Sequence, residues 1–229
     1  MKIFLLTIIF FPLLLSAKEV FFLDGYYHND LSPALSTKIK VEADIALVNR
    51  ILHLHQINGY EFKLRIWKPL TVPRRPFYLK SLDGEAHEAY RALYPLIDKA
   101  HSNVITFYVR EYDDLTDGVV KGIAVQGGSF FTYLQEGGEA VYFTFAHELF
   151  HAIGLGDSKV SYGNPYYCGN KHTLMHEVSL PSVSKTYLLS DPSISKNGIN
   201  CGHENQFDNA RYLKELLFKR RNENLDMLQ

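Results

Sequence analysis

Hydrophobic and polar residues alternate or recur at helical spacing along most of the chain. In residues 60–67 apolar side chains alternate with mostly charged ones, which predicts a half-buried strand. In residues 40–55 apolar side chains recur in steps of four and three, which predicts a helix. The same patterns predict further strands over residues 19–27, 104–109, 119–126 and 129–133, and further helices over residues 85–101, 140–153 and 205–221. Strands and helices in this mixed order predict an α+β domain.

Two regions depart from this regular pattern. Residues 156–203 contain no long periodic segment and many Gly, Pro, Asn and Ser residues, and a long stretch of this kind usually carries function. In the last turn of the final predicted helix, Lys219, Arg220 and Arg221 are expected to be solvated, and their charges suit the helix dipole.

The first 17 residues have the pattern of a secretory signal peptide. Lys2 precedes an apolar run over residues 3–15, and the small residues Ser16 and Ala17 follow it. This run is too short to cross a bilayer comfortably. We therefore expect cleavage near Ala17 and a mature chain over residues 18–229, secreted or periplasmic and without a stable membrane anchor. An uncleaved N-terminal anchor is the alternative.

Composition and charge narrow the class of protein further. Hydrophobic residues make up 46% of the chain and charged residues 21%, which is typical of a packed globular domain rather than a disordered chain. Because 24 Lys and Arg residues nearly balance 25 Asp and Glu residues, the chain lacks the basic excess of nucleic-acid-binding proteins. We expect one domain that is a monomer and binds no nucleic acid.

The chain has two cysteines, Cys168 and Cys201, too few for a four-cysteine zinc module. Export to an oxidising compartment favours a disulfide bond between them. This bond would close a loop of about 34 residues and stabilise the fold by on the order of 3 kcal/mol. Two buried free thiols are the alternative.

The residues that indicate chemistry are concentrated in residues 147–157, which read HELFHAIGLGD. His147 and His151 are four residues apart, so on a helix they lie on one face about 5–6 Å apart. That separation allows both imidazoles to bind one zinc ion. Glu148 lies beside them, where it can take a proton from water rather than act as a ligand.

A turn after this helix completes the predicted metal site. Gly154 is free to take a positive φ at the helix end, after which Asp157 can return a carboxylate to the metal as a third ligand. Two imidazoles, one carboxylate and one water make an open catalytic zinc site. Either His172 or His176 is the alternative third ligand, because imidazole is common at zinc.

The spacing His147-Glu148-x-x-His151-x-x-Gly154-x-x-Asp157 resembles that of the metzincin zinc peptidases. Asp in place of their usual third His resembles the snapalysin-type variant. The residues that follow Gly154 are also similar to the matrixin sequence with the same replacement. A His-Glu-x-x-His spacing arises by chance in on the order of 1 in 100 chains of this length, and the added Gly and Asp make chance rarer still.

This resemblance implies a fold and a mode of substrate binding. The fold is a metzincin-like zincin, with a twisted mixed sheet and the active-site helix in an upper part, residues 18–155, and a smaller C-terminal subdomain, residues 156–229. Metzincins carry a methionine in a tight turn beneath the metal, and Met175 fits that position. In this family an edge strand above the cleft pairs with the substrate, and the candidate residues are Ser129, Phe130, Phe131, Thr132 and Tyr133.

These features predict a zinc metalloendopeptidase, a hydrolase that acts on peptides or proteins. Zinc lowers the pKa of its bound water, and Glu148 accepts a proton as that water attacks the peptide carbonyl. A zinc hydrolase of narrow specificity on another amide, such as a cell-wall peptide, is the first alternative, because a fold does not determine a substrate. A non-enzymatic zinc-binding secreted protein is the second, and the presence of Glu148 argues against it.

Overall fold

The computed structural model of the chain describes residues 18–29, 34–73, 84–97, 103–111, 122–135, 142–156, 166–169, 171–175 and 186–226. These residues form a mixed five-stranded sheet, two small two-stranded sheets and four helices, so the predicted α+β class is confirmed. The predicted signal peptide, residues 1–17, lies outside the described residues, as do Asp157 and His176. None of the helices in the described part is both long and apolar enough to cross a membrane.

The elements follow the predicted order closely. The strands of the large sheet are β1 (Glu19–His28), β2 (Tyr60–Leu70), β3 (Val104–Glu111), β4 (Gly122–Val125) and β5 (Phe130–Gln135). The helices are α1 (Ala34–Leu54), α2 (Gly84–Ile97), α3 (Tyr142–Ile153) and α4 (Asn209–Asp226). The region without long periodic segments contains the short strands β6 (Tyr167–Cys168), β7 (Lys171–His172), β8 (Asp191–Lys196) and β9 (Ile199–Cys201).

The large sheet has the strand order β2-β1-β3-β5-β4. Neighbouring strands are parallel except β4, which runs antiparallel to β5. Among the described residues β4 has one strand neighbour, so it forms an edge of the sheet. This edge strand is short and is followed directly by the turn at residues 126–129, which folds the chain back from β4 into β5.

The prediction that residues 129–133 form the edge strand is wrong. Phe130 pairs with Thr106 of β3 on one side and with Val125 of β4 on the other, so β5 lies inside the sheet. Ser129 precedes β5 in the turn, with a φ of 58°. None of the five residues predicted to bind the substrate lies on an edge strand. Four of them are buried in β5, namely Phe130, Phe131, Thr132 and Tyr133, and the fifth is Ser129. Consecutive aromatic residues without alternation are typical of a strand buried on both faces, so this signal was present in the sequence.

The sheet packs helices on both of its faces. Alternate side chains of a strand point to opposite faces, so Phe107 and Phe131 join the core with α1, α3 and α4, while the adjacent Tyr108 and Phe130 join the core with α2. The larger core lies on the α3 face, where the Phe145 ring meets the Phe131 ring edge-on, with centroids 5.3 Å apart. Helix α3 is therefore held against β5 and the neighbouring edge strand β4.

Within the C-terminal part, residues 166–226 as far as they are described, a disulfide bond joins two short strands, and a buried histidine of the N-terminal part contacts it. Cys168 of β6 and Cys201 of β9 are bonded, which confirms the predicted pairing. His55, just after α1, is buried with its Nδ1 2.7 Å from Oδ2 of Asp191, and its Nε2 accepts the backbone N–H of Leu189 at 3.0 Å. Burial acts to raise the pKa of Asp191, but hydrogen bonds from His55 and Ser193 outweigh it and hold that pKa below its usual value.

Candidate metal centre

Helix α3 presents two histidines on the side facing away from its buried stripe. Phe145 and Leu149 are fully buried in the core. His147 and His151 lie on another side of the helix and are half-buried. Because the two histidines are four residues apart, their rings meet edge-on, with centroids 4.5 Å apart. The predicted juxtaposition of these two imidazoles is therefore present in the structure.

Both imidazoles are oriented by backbone carbonyls. Nδ1 of His147 lies 2.9 Å from the carbonyl oxygen of Leu174, and Nδ1 of His151 lies 2.6 Å from that of Leu155. A carbonyl oxygen only accepts, so Nδ1 of each ring must carry the proton. In the neutral rings each Nε2 is then an acceptor, and the two Nε2 atoms face each other 3.0 Å apart.

This pair of nitrogens fits a divalent metal ion such as zinc. In neutral rings the two facing lone pairs repel each other unless a proton or a metal ion lies between them. A histidine that binds a metal through one ring nitrogen usually donates the other N–H to a carbonyl, carboxylate or water, as His147 and His151 do here. The donor set, two imidazole nitrogens, is the one zinc prefers together with carboxylate oxygen.

The end of α3 is shaped by Gly154, as predicted. Gly154 has a φ of 125°, a conformation that side chains rarely allow. Its N–H donates to the carbonyls of Phe150 and His151 at 3.1 and 2.9 Å. The chain turns back at this point, and this turn brings the carbonyl of Leu155 to His151. Asp157, the predicted third ligand, follows two residues after Leu155 and lies outside the described residues.

Glu148 is buried between α3 and the edge strand. Its side chain is 7% exposed. It lies so close to Gly122 of β4 that a Cβ atom at residue 122 would be 2.4 Å from Cγ of Glu148 and 2.8 Å from Oε1. The carboxylate therefore lies against the backbone of the first residue of β4. Nothing in the sequence pattern indicated this contact, because the two residues belong to different elements.

A turn near residue 174 lies next to His147. Leu174, whose carbonyl accepts the Nδ1 proton of His147, and Met175 are in a turn and fully buried. Met175, the predicted Met-turn residue, is thus adjacent in sequence to a residue that orients a histidine of the candidate site.

Of the two alternative third ligands, His172 lies in the described part of the chain, and it is not grouped with the two histidines of α3. Within the described ranges, no set of three or more His, Cys, Asp or Glu side chains is arranged to hold a metal ion. His172 is buried in β7, with its ring centroid 4.3 Å from that of Tyr167. Of the three residues considered as third ligand, Asp157 and His176 lie outside the described residues.

Arg220 is a residue whose role the sequence did not reveal. It is buried, so the expectation that it is a solvated helix end is wrong. Its guanidinium donates to the carbonyls of Ala152 and Ile153 at 2.9 and 3.3 Å, to the carbonyl of Gly127 at 3.1 Å and to Oγ of Ser129 at 2.8 Å. Arg220 thus joins the C-terminal end of α3 to the turn between β4 and β5.

Comparisons with known proteins reveal a similarity of fold but assign the chain to no family. No family model and no curated protein matches the sequence. A solved structure described as "Structure of a chaperone-substrate complex" matches 90% of this chain, with a TM-score of 0.65 and 14% sequence identity. The match spans 35% of that chain, about a third of its length. At this identity the similarity concerns the fold alone.

Proposed function

We propose that the protein is an exported, zinc-dependent endopeptidase of the metzincin-like type. The observation that carries the proposal is the pair of imidazoles on α3. Their Nε2 atoms are 3.0 Å apart, and each Nδ1 is engaged by a backbone carbonyl. Glu148, which follows His147 on the same helix, supplies a buried carboxylate. A purely structural zinc site has no need of such a group.

His147 and His151 would hold the zinc ion, with Asp157 as the proposed third ligand. Zinc held by these residues would act as a Lewis acid that lowers the pKa of water toward neutral and stabilises negative charge on a carbonyl oxygen. The carbonyls of Leu174 and Leu155 fix the tautomer of the two imidazoles, so that each Nε2 is ready to bind without a change of proton.

Glu148 acts as general base and then as general acid. Its carboxylate accepts a proton from the attacking water and passes it to the leaving amine. Its burial against the first residue of β4 restricts the region that the carboxylate can occupy. Such restriction is what general acid–base catalysis requires, because the reacting atoms must stay within hydrogen-bond distance of the base.

The substrate is an extended peptide that pairs with β4. This strand forms the edge of the sheet in the described part of the chain, and its first residue touches Glu148. A peptide added to such an edge gains affinity from main-chain hydrogen bonds, so the proposal implies cleavage of many sequences rather than one. The candidate substrate strand is thus residues 122–125 in place of residues 129–133.

The proposal is tested by peptide cleavage with a matched inactive variant. The chain over residues 18–229 is loaded with zinc and incubated with a mixed peptide library, and products are identified by mass spectrometry. We expect Glu148→Gln to keep zinc and to lose nearly all cleavage, because the amide cannot accept a proton.

Three outcomes separate the candidate functions. Cuts made by the native chain and absent from Glu148→Gln support the endopeptidase. Retained cleavage by Glu148→Gln contradicts the role of the carboxylate. A folded, zinc-loaded native chain that makes no cuts favours a hydrolase of narrow specificity on another amide, or a zinc protein without this activity.

A further inference from the structure

We propose that Gly122 is a positioning residue for Glu148: because residue 122 has no side chain, the carboxylate can lie directly against the edge strand. The inference rests on the proposed function, and it adds a residue outside the helix to the site. It also makes a physical connection between the strand proposed to bind the peptide and the base that acts on it.

Glu148 occupies the space that a side chain at residue 122 would need. A Cβ atom built on Gly122 would be 2.4 Å from Cγ, 2.8 Å from Cδ and 2.8 Å from Oε1 of Glu148. Distances of this kind do not occur between real atoms that are not bonded, so a methyl group and the present position of the carboxylate exclude each other.

The backbone conformation at residue 122 does not itself require glycine. Gly122 is the first residue of strand β4 and is not among the glycines with a positive φ. Gly154 is the contrasting case, because its φ of 125° explains the glycine without reference to any neighbour. Space for Glu148 is therefore the structural reason for the absent side chain at residue 122.

A methyl group at residue 122 would clash with one side chain rather than with the backbone. The three nearest atoms to the added Cβ all belong to the flexible Glu148 side chain. At Gly202, by contrast, the nearest atoms are backbone atoms of Phe207 and Asp191. A methyl group at residue 122 should therefore displace the Glu148 side chain, whereas one at residue 202 would press against backbone atoms and disturb the fold.

The test compares Gly122→Ala with Gly59→Ala, which adds a methyl group where no atom lies within 4 Å. Activity is measured on the peptide from the library that the native chain cuts best. We expect Gly122→Ala to bind zinc and to lower kcat by on the order of 100-fold, as an error of about 1 Å in the reacting geometry does. Gly59→Ala should behave as the native chain.

A second measurement reports the carboxylate without reference to activity. In zinc-loaded chain labelled with ¹³C at the glutamate carboxyl carbons, the Glu148 signal is assigned by its absence from Glu148→Gln. We expect Gly122→Ala to shift this signal and Gly59→Ala to leave it unchanged. An unmoved Glu148 signal, or native kcat in Gly122→Ala, overturns the inference.

The two proposals fail in different ways. If the native chain cuts no peptide, the proposed function fails, and the carboxyl signal still decides whether Gly122 positions Glu148. If Gly122→Ala does not fold, it is combined with Glu148→Ala, which removes the atoms that the new methyl group would meet. Recovery of folding in the double variant supports the inference, and failure to recover contradicts it.

Discussion

The ring nitrogens of His147 and His151 show how single atoms determine what a site can bind. A backbone carbonyl on each Nδ1 leaves both Nε2 atoms as acceptors, 3.0 Å apart. Neither Leu174 nor Leu155 contributes a side chain to this arrangement, so their residue types do not reveal it. The orientation of the imidazoles depends on where the backbone passes, and therefore on the fold.

Asp44 is a second residue whose behaviour depends on its surroundings. It lies on α1 and is buried. Burial raises the pKa of the nearby Tyr133 hydroxyl, and the charge of Asp44 adds to that increase. Burial raises the pKa of Asp44 to about 7, although Lys40 lowers it in part. Between about pH 4 and pH 7 the unfolded chain is ionised at this residue while the folded chain remains protonated.

This difference predicts a pH dependence of stability that Asp44→Asn removes. Unfolding releases a proton in that window, so this group lowers the free energy of unfolding by about 1.4 kcal/mol per pH unit as pH rises, with no further change above pH 7. We expect Asp44→Asn to stabilise the metal-free chain more at pH 7.5 than at pH 4.5, as measured by urea unfolding. The control is Asp226→Asn, which removes a carboxylate from an exposed residue of α4. An equal effect of Asp44→Asn at both pH values would contradict the raised pKa.

At the scale of elements, the C-terminal end of α3 is fastened from two directions. The turn between β4 and β5 donates the N–H groups of Gly127 and Ser129 to the carbonyls of His151 and Ala152, at 3.0 and 3.2 Å. Arg220 of α4 donates to the same helix end and to the same turn. Carbonyls at a helix end have no partner within the helix, so these contacts satisfy them.

We predict that Arg220→Met weakens both the fold and zinc binding. Loss of the guanidinium leaves buried carbonyls unsatisfied, which costs about 2–4 kcal/mol in the free energy of unfolding. Because the turn after Ile153 brings Leu155 to His151, we also expect zinc affinity to fall by about 10–100-fold. Urea unfolding and competition with a zinc chelator measure the two effects.

Two variants identify the cause of that loss. Lys214→Met removes a cation from the exposed face of the same helix and should change neither quantity. Arg220→Lys keeps the charge but cannot reach all four acceptors, so it should fall between the native chain and Arg220→Met. Native zinc affinity in a destabilised Arg220→Met would show that the residue stabilises the fold without positioning the metal site.

At the scale of the whole molecule, the short strands of the C-terminal part depend on connections to other elements. Strands of two to six residues cannot form an independent core. The bond between Cys168 and Cys201 joins two of these strands, and the buried pair of His55 and Asp191 joins this part to the end of α1. These connections hold the turn that contains Leu174 in place beside α3.

The disulfide bond should therefore contribute measurably to thermal stability. Replacing both cysteines by serine is expected to cost on the order of 3 kcal/mol, or roughly 10 °C in melting temperature for a chain of this size. Scanning calorimetry in the presence and absence of a reductant provides the measurement. The reductant should lower the melting temperature of the native chain and leave that of the double serine variant unchanged. A native chain unaffected by full reduction would contradict the prediction.

Most long elements were predictable because their signals are local. The alternation in residues 60–67 and the helical spacing in residues 40–55 correspond to β2 and α1, although α1 begins earlier, at Ala34. The short strands β6 to β9 were not predictable, because two to six residues are too few to show a period. The consecutive aromatic residues of β5 indicated a strand buried on both faces, but a pattern within one strand does not identify which strands lie beside it.

The sequence by itself determined the helix that carries His147, Glu148 and His151 and the proximity of its two imidazoles, because residues four apart on a helix are always neighbours. Only the tertiary structure decided which carbonyls orient the imidazoles, that Gly122 makes room for Glu148, and that Arg220 fastens the end of the helix. These contacts join segments far apart in the chain, and their geometry follows from the packing of the whole core rather than from any local pattern.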